Sequence, residues 1–240
     1  MQSNDRCISE DPLARGGARR YLDSVAPTDF IPPHGDIKLS AVTLTGLADF
    51  YGTDKGSLKH NYTNVYERLI DDLLECGSRI SKKLRVTEIG VACGASLRMW
   101  SDYLPESEIC GYDIRPECAS LCGDKGNIKI TISDLTKEIP AHSSHLLVDD
   151  GSHISEDIVA AFANCWPTVV PGGYYVIEDL SCTYGGGYAR QFESSFGRKV
   201  ENNRETITKF VDVMMQSIDF RKDIEHFRYY PQLLVIKKKR

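Results

Sequence analysis

No apolar run in this chain approaches the roughly 20 residues that a membrane-spanning helix needs, so no membrane partner is expected. The first twenty residues are polar and hold no apolar signal core, which predicts no secretion and a cytoplasmic location. An excess of positive charge is also lacking: the net charge is −5. The one dense basic run, Lys237-Lys238-Lys239-Arg240, reads as a solvated tail. A nucleic-acid partner is therefore not expected, because such proteins carry a basic patch. None of the 8 cysteines forms a Cys-x-x-Cys pair. Cys118 and Cys122 stand close in sequence without a second ligand pair nearby, which argues against zinc. Reduced thiols that pack as small hydrophobes are the simplest account. The Gly-x-Gly-x-x-Gly spacing of dinucleotide folds is missing too.

What is present is a chain of 240 residues, 41% hydrophobic, enough for one α/β domain with an appendage. Residues 1–40 form an irregular arm punctuated by Gly16-Gly17, Pro27 and Pro32-Pro33, and 41–240 form the domain. Thr43 offers an N-cap to a short helix with Leu44, Leu47, Ala48 and Tyr51 on one face. A loop carrying Lys55, His60 and Tyr62 follows. A helix comes next, with Tyr66, Leu69, Ile70, Leu73 and Leu74 at helical spacing, ended by Gly77. Strands are predicted over 84–89, 108–112, 127–132, 145–148 and 174–177. Helices are predicted over 96–103, 117–121 and 155–166, the last capped by Ser155. Pro171-Gly172-Gly173 reads as the turn into the fifth strand. Such alternation implies parallel pairing with right-handed crossovers. Residues 181–203, with Gly185-Gly186-Gly187, read as a long mobile loop, of a length that is usually functional or disordered. A helix over 205–216 precedes two apolar runs, 224–230 and 233–236, joined by the hairpin Pro231-Gln232. The expected fold class is α/β: a Rossmann-like, mostly parallel seven-stranded sheet closed by an antiparallel hairpin, the organisation of class I methyltransferases.

Every predicted parallel strand after which the chain turns ends in an acid: Glu88, Asp113, Asp134, Asp149 with Asp150, and Glu178 with Asp179. Ligands of open α/β sheets bind outside the carboxyl ends of the strands. The first turn, Glu88-Ile89-Gly90-Val91-Ala92-Cys93-Gly94 followed by Ser96, allows close backbone approach at Gly90 and Gly94. An acid just before it suits a cationic ligand, whereas a pyrophosphate would favour bare backbone donors. S-adenosylmethionine has an ammonium, a sulfonium and a ribose, and no phosphate. Asp113 lies 19 residues after Gly94, where an acid can bind ribose hydroxyls, and Asp134 is placed for the adenine amino group. Asp150 and the Glu178-Asp179 pair are joined by one helical crossover, so their strands can be neighbours about 4.8 Å apart. Three oxygen donors suit Mg²⁺ or Mn²⁺ better than Zn²⁺. His153 reads as a general base, with a capping or core histidine and a metal ligand as alternatives. Asp149 orients His153, contacts the donor or caps the turn.

These residues, with Trp100, Leu97, Pro171-Gly172-Gly173, Ile177, Leu180 and the segment Tyr51-Gly52-Thr53-Asp54-Lys55-Gly56, resemble the metal-dependent sugar O-methyltransferases of macrolide and anthracycline-type biosynthesis. The resemblance covers about residues 44–240. It implies that Asp150, Glu178 and Asp179 are the metal ligands and His153 the base, with Asp150 also part of the catalytic set. It further implies that Lys55, His60, Tyr62 and Tyr184 close over donor or sugar. The expected acceptor is a glycosylated natural product or glycolipid, and the expected assembly a dimer or tetramer. A catechol or other small diol as acceptor, a cephalosporin-hydroxylase-like protein, and a donor-binding accessory subunit are the competing expectations. The separate N-terminal domain of the macrolide enzymes is not expected in the short arm before residue 41, which leaves the acceptor and the oligomeric state open.

Overall fold

The computed structural model describes residues 43–77, 83–184, 204–220 and 222–240. The arm over 1–40 and the loop from Gly185 to 203, Tyr188 included, lie outside the described residues.

Helix α1, Leu44–Tyr51, starts as expected at Thr43, whose hydroxyl accepts a bond from the Gly46 N–H, and stops at Gly52 in the left-handed region. Helix α2, Thr63–Gly77, buries Tyr66, Leu69, Ile70 and Leu73, the face its periodicity predicts. The alternating part follows: β1 Arg85–Ile89, α3 Ala95–Tyr103, β2 Glu108–Asp113, β3 Ile128–Ile132, β4 Ser144–Asp149, α4 Ser155–Cys165, β5 Val169–Ile177, α5 Arg204–Asp219, β6 Ile224–Tyr230 and β7 Leu233–Lys238. The sheet order is β3-β2-β1-β4-β5-β7-β6. Pairs among β1 to β5 are parallel, and β7 runs antiparallel to both β5 and β6. This is the Rossmann-like methyltransferase arrangement with its terminal hairpin.

Successive residues of the central strands face opposite layers. Leu146, Val148, Tyr174 and Val176 pack with Tyr66, Leu97 and Trp100 on one side. Leu147, Tyr175 and Ile177 pack with Ile158, Phe210 and Met214 on the other.

Three local expectations are corrected. Pro171-Gly172-Gly173 is no turn before the strand but lies inside β5, at a register shift opposite Ser144 to Leu146. Gly172 takes φ +81 there, which lets the chain bulge and resume pairing. Ser155 is the first helical residue of α4 and not its cap; Ile154 holds the cap position without a side-chain bond. The segment expected as a helix over 117–121 is a 3₁₀ turn, Pro116–Ser120, as Pro116 at its start and its short length favour.

The register positions the site. Ile89 pairs with Asp149, and Asp149 with Ile177. The ladder then runs one step further, with Asp150 N–H donating to Ile89 O (3.0 Å) and Glu178 N–H to Asp149 O (3.0 Å). Asp150 and Glu178 therefore leave the sheet at the same edge.

Candidate active site

The first turn shows why its glycines are needed. Gly90 has φ +91, and a Cβ on it would fall 2.0 Å from the carbonyl oxygen of Asp150. The turn after β1 and the turn after β4 are thus packed backbone to backbone. Gly94 has φ +80, and a Cβ there would meet Cys122 Sγ at 2.6 Å. Ala92 also sits in the left-handed region, at φ 50, a strain of about 1 kcal/mol or more for a residue with a Cβ. Cys118 and Cys122 pack under this turn, their thiols directed to Ala92 O and Gly94 O.

The donor-side acids divide by environment. Asp113 accepts bonds from Val91 N–H (2.9 Å), Ala92 N–H (3.3 Å) and Arg115 N–H (2.9 Å), and from Arg115 Nε and Nη2 at 3.0 Å each. Burial pushes its carboxyl up, but the Arg115 guanidinium and the backbone donors outweigh burial and hold it at about 2. Asp113 thus ties the glycine turn to the end of β2 and to Arg115. Asp134 accepts from Thr136 N–H, Thr136 Oγ1 and Lys137 Nζ, a local turn at the end of β3. Glu88 and Ser96 bond each other, and Trp100 Nε1 donates to Glu88 at 2.7 Å. Both residues lie below the surface, Glu88 completely.

Asp149 is buried. Its Oδ2 accepts from Tyr175 OH at 2.9 Å and its Oδ1 from Gly151 N–H at 3.4 Å. Burial pushes its carboxyl up to about 6 against the pull of Tyr175, His153 and the Gly151 N–H. Of the three roles open in sequence, capping the turn has direct bonds behind it.

The centre of the site is a carboxylate cluster. Ligand-type atoms of Asp150, His153 and Asp179 all lie within 4.8 Å of one another, as do those of Asp54, His60 and Asp179. His153 Nε2 is 3.7 Å from Asp150 Oδ1 and 3.8 Å from Asp179 Oδ2. His153 (φ 55) and Asp179 (φ 52) are both left-handed; such strain persists where the surroundings over-determine it. Tyr62 OH donates to Asp179 Oδ1 at 2.7 Å, and the His60 ring stacks on Tyr62. Two carboxylates and an imidazole make a donor set that fits a small divalent cation.

Glu178 is not in that cluster. Its Oε2 takes a bond from Lys55 Nζ at 2.7 Å, and its Oε1 takes the Tyr66 hydroxyl. Lys55 also donates to Asp150 Oδ2 at 2.5 Å and stands 3.7 Å from Glu88 Oε1. Expected in a covering position, Lys55 is instead wholly buried beneath the acids. Burial alone would strip its proton; Asp150, Glu178 and Glu88 outweigh that and hold it charged. Burial in turn pushes Glu178 well up, opposed by Lys55. Tyr66, which helical periodicity assigned to the core, and Trp100, named only in the family resemblance, both contribute polar atoms here. The only sign of them in sequence is that a buried Tyr or Trp must find a partner for its O–H or N–H. Tyr184 is exposed and stacks with the Arg204 guanidinium, 4.4 Å from its ring; it makes no contact with the cluster that the described residues show.

No protein-family model matches the chain. Over 155 residues it is 34% identical to the 8-demethyl-8-alpha-L-rhamnosyl tetracenomycin-C 2'-O-methyltransferase of Streptomyces olivaceus, covering 59% of this chain and 38% of that protein. The chain resembles sugar O-methyltransferases. Against the mycinamicin VI 2''-O-methyltransferase of Micromonospora griseorubida the identity is 32% over 162 residues, 62% of this chain and 38% of the relative. The matched stretch therefore spans under two-fifths of these curated relatives. Among solved structures, the MycE methyltransferase of the mycinamycin biosynthetic pathway in complex with Mg and SAH superposes with a TM-score of 0.65 at 25% identity, over 83% of this chain and 55% of that one. A second MycE complex, with Mg, SAH and mycinamycin VI, superposes at 0.63. No helix among the described residues is long and apolar enough to cross a membrane.

Proposed function

We propose that this chain is an S-adenosylmethionine- and Mg²⁺-dependent O-methyltransferase whose acceptor is a sugar hydroxyl of a glycosylated small molecule. The observation that carries the reading is the meeting of Asp150, His153 and Asp179 at one sheet edge, beside a glycine turn packed against Asp150 itself. The relatives' names and the Mg and SAH in the MycE complexes support it.

The donor is held along the turn from Gly90 to Ser96, with Asp113 and Asp134 toward its ribose and adenine and Glu88 and Asp149 supporting from below. Asp150 and Asp179 would hold the cation, and Glu178, bound here to Lys55 and Tyr66, would join as the third carboxylate on release from Lys55. Bound there, Mg²⁺ or Mn²⁺ supplies Lewis-acid polarisation of an acceptor hydroxyl. His153, facing both aspartates, takes the proton of that hydroxyl. The oxygen then forms its bond to the donor methyl as the carbon–sulfur bond breaks, and fixed orientation supplies much of the acceleration. His60 and Tyr62, stacked at Asp179, line the acceptor side. Tyr184 belongs to the same side at its exposed rim. The protein works as a homo-oligomer in the cytoplasm.

The test is incubation with S-adenosylmethionine, Mg²⁺ and a panel of glycosides and catechols, read as a mass gain of one methyl. Glycosides should gain it, EDTA should abolish the gain and Mg²⁺ should restore it. Methylation of catechols alone would replace the sugar reading. His153→Ala should lower kcat by roughly 10²–10⁴-fold, the usual worth of a general base; full activity would remove His153 from that role.

A further inference from the structure

The buried ammonium of Lys55 is unexplained by the chemistry above. A lysine taken out of water is tolerated only when paired, and Lys55 is paired with acids alone: Asp150 Oδ2 at 2.5 Å, Glu178 Oε2 at 2.7 Å and Glu88 Oε1 at 3.7 Å. Two of these three are carboxylates assigned above to the divalent ion. Asp150 turns Oδ2 to Lys55 and Oδ1 toward His153, so the two cations share its charge, and it is Glu178 that Lys55 withholds. Glu178 has both oxygens engaged, Oε1 by the Tyr66 hydroxyl and Oε2 by Lys55, so a dication at Glu178 would sit beside the Lys55 ammonium and be repelled by it. Lys55 is carried by a loop, between Gly52 in the left-handed region and Gly56, and not by a strand or helix. The ammonium can therefore shift without breaking the sheet ladder.

We propose that Lys55 is a placeholder cation: it neutralises Asp150 and Glu178 in the metal-free protein and yields Glu178 when a divalent ion enters, so that lysine and metal compete for the same carboxylates. This rests on the metal-site reading and identifies the residue that sets how tightly the metal is held. Lys55 is thus a positioning residue, not a catalytic one. The competing account is a purely structural ion pair, and the two differ in sign. A placeholder repels the incoming dication, so removing its charge tightens metal binding; at these separations the change should be about tenfold or more. A structural pair holds the carboxylates in place, so removing it loosens them and weakens metal binding.

The experiment is Mg²⁺ titration of the full chain by calorimetry, with melting temperatures measured in EDTA and at saturating Mg²⁺, for wild type, Lys55→Met and Lys55→Arg. Lys55→Met should bind Mg²⁺ about tenfold or more tighter, melt below wild type in EDTA and recover most of the gap in Mg²⁺. Lys55→Arg, which keeps the charge, should stay near wild-type affinity. Unchanged or weaker binding by Lys55→Met, or a melting gap that Mg²⁺ leaves open, overturns the proposal. Should Lys55→Met fail to fold in either buffer, Lys55→Gln, which keeps a donor without the charge, carries the same expectation. Lysine-selective NMR of the wild type tests it with no variant. The Lys55 ammonium protons should lose their protection from exchange as Mg²⁺ is added, and unaltered protection overturns the proposal. A wild type that binds no Mg²⁺ removes the metal-site reading and the placeholder together. A wild type that binds Mg²⁺, with a Lys55→Met no tighter, removes the placeholder alone.

Discussion

Gly90 and Asp113 show how single residues hold the donor side together. At Gly90 a Cβ would sit 2.0 Å from the backbone carbonyl oxygen of Asp150, whose N–H is held by Ile89 O, so no flexible side chain is there to yield. Gly90→Ala should destabilise the protein by at least about 2 kcal/mol, combining left-handed strain with displaced backbone, and urea unfolding would measure it. Asp113 makes a prediction in pH. Its folded carboxyl is held at about 2, below the roughly 3.9 of an unfolded aspartate. Unfolding therefore takes up a proton, so the stabilisation is fully present above about pH 4 and is lost as pH falls toward 2. A shift of this size corresponds to about 2 kcal/mol. Urea midpoints of Asp113→Asn should accordingly change less than those of wild type between pH 5 and about 2.5.

At the scale of elements, the acid edge depends on two connections of different kinds. Helix α1 and the loop after it deliver Lys55, and the loop is tied down by Asp49, which accepts from both the N–H and the hydroxyl of Ser57. At the start of the helix Thr43 Oγ1 accepts from the Gly46 N–H and Glu67 Oε1 from the Leu44 N–H. Thr43→Ala should cost about 1 kcal/mol of stability, seen equally in EDTA and in Mg²⁺, because the cap lies outside the charge cluster. The bulge at Gly172 and the pairing of β5 with β4 set the level at which Glu178 and Asp179 emerge. The residues between the two ends of that bulge were legible as Pro and Gly punctuation, but whether such punctuation ends a strand or bends it is decided by the neighbouring strand. The same reason explains the misplaced cap at α4, since Ser155 is a good cap by type and only the path of the chain shows it already inside the helix.

For the whole molecule, stability should be graded across the sheet. Strands β1, β4 and β5 are central and covered on both faces, whereas β3 and β6 are the edges. Amide exchange should be slowest in the central three and fastest in β3 and β6. The site would then sit on the most rigid part of the fold, and comparable exchange across all seven strands would contradict this.

What the sequence determined alone was local. Apolar runs with period 2 or 3.6, and acids where those runs end, are properties of short stretches, so the succession of elements along the chain, the acids at the strand ends and the candidates Asp150, His153 and Asp179 were legible, whereas the spatial order of the strands was not. What the tertiary structure decided is how those charges are shared. Lys55 reaches Asp150 across 95 residues and Glu178 across 123, and no periodicity encodes a contact that long. A lysine in a polar loop reads as solvated; here it is wholly buried, with its ammonium on Glu88 of β1 and on Asp150 and Glu178, the residues that follow β4 and β5. Once inside, the cost of an unpaired charge in a low-dielectric interior compels the partnership that divides Glu178 from the open cluster.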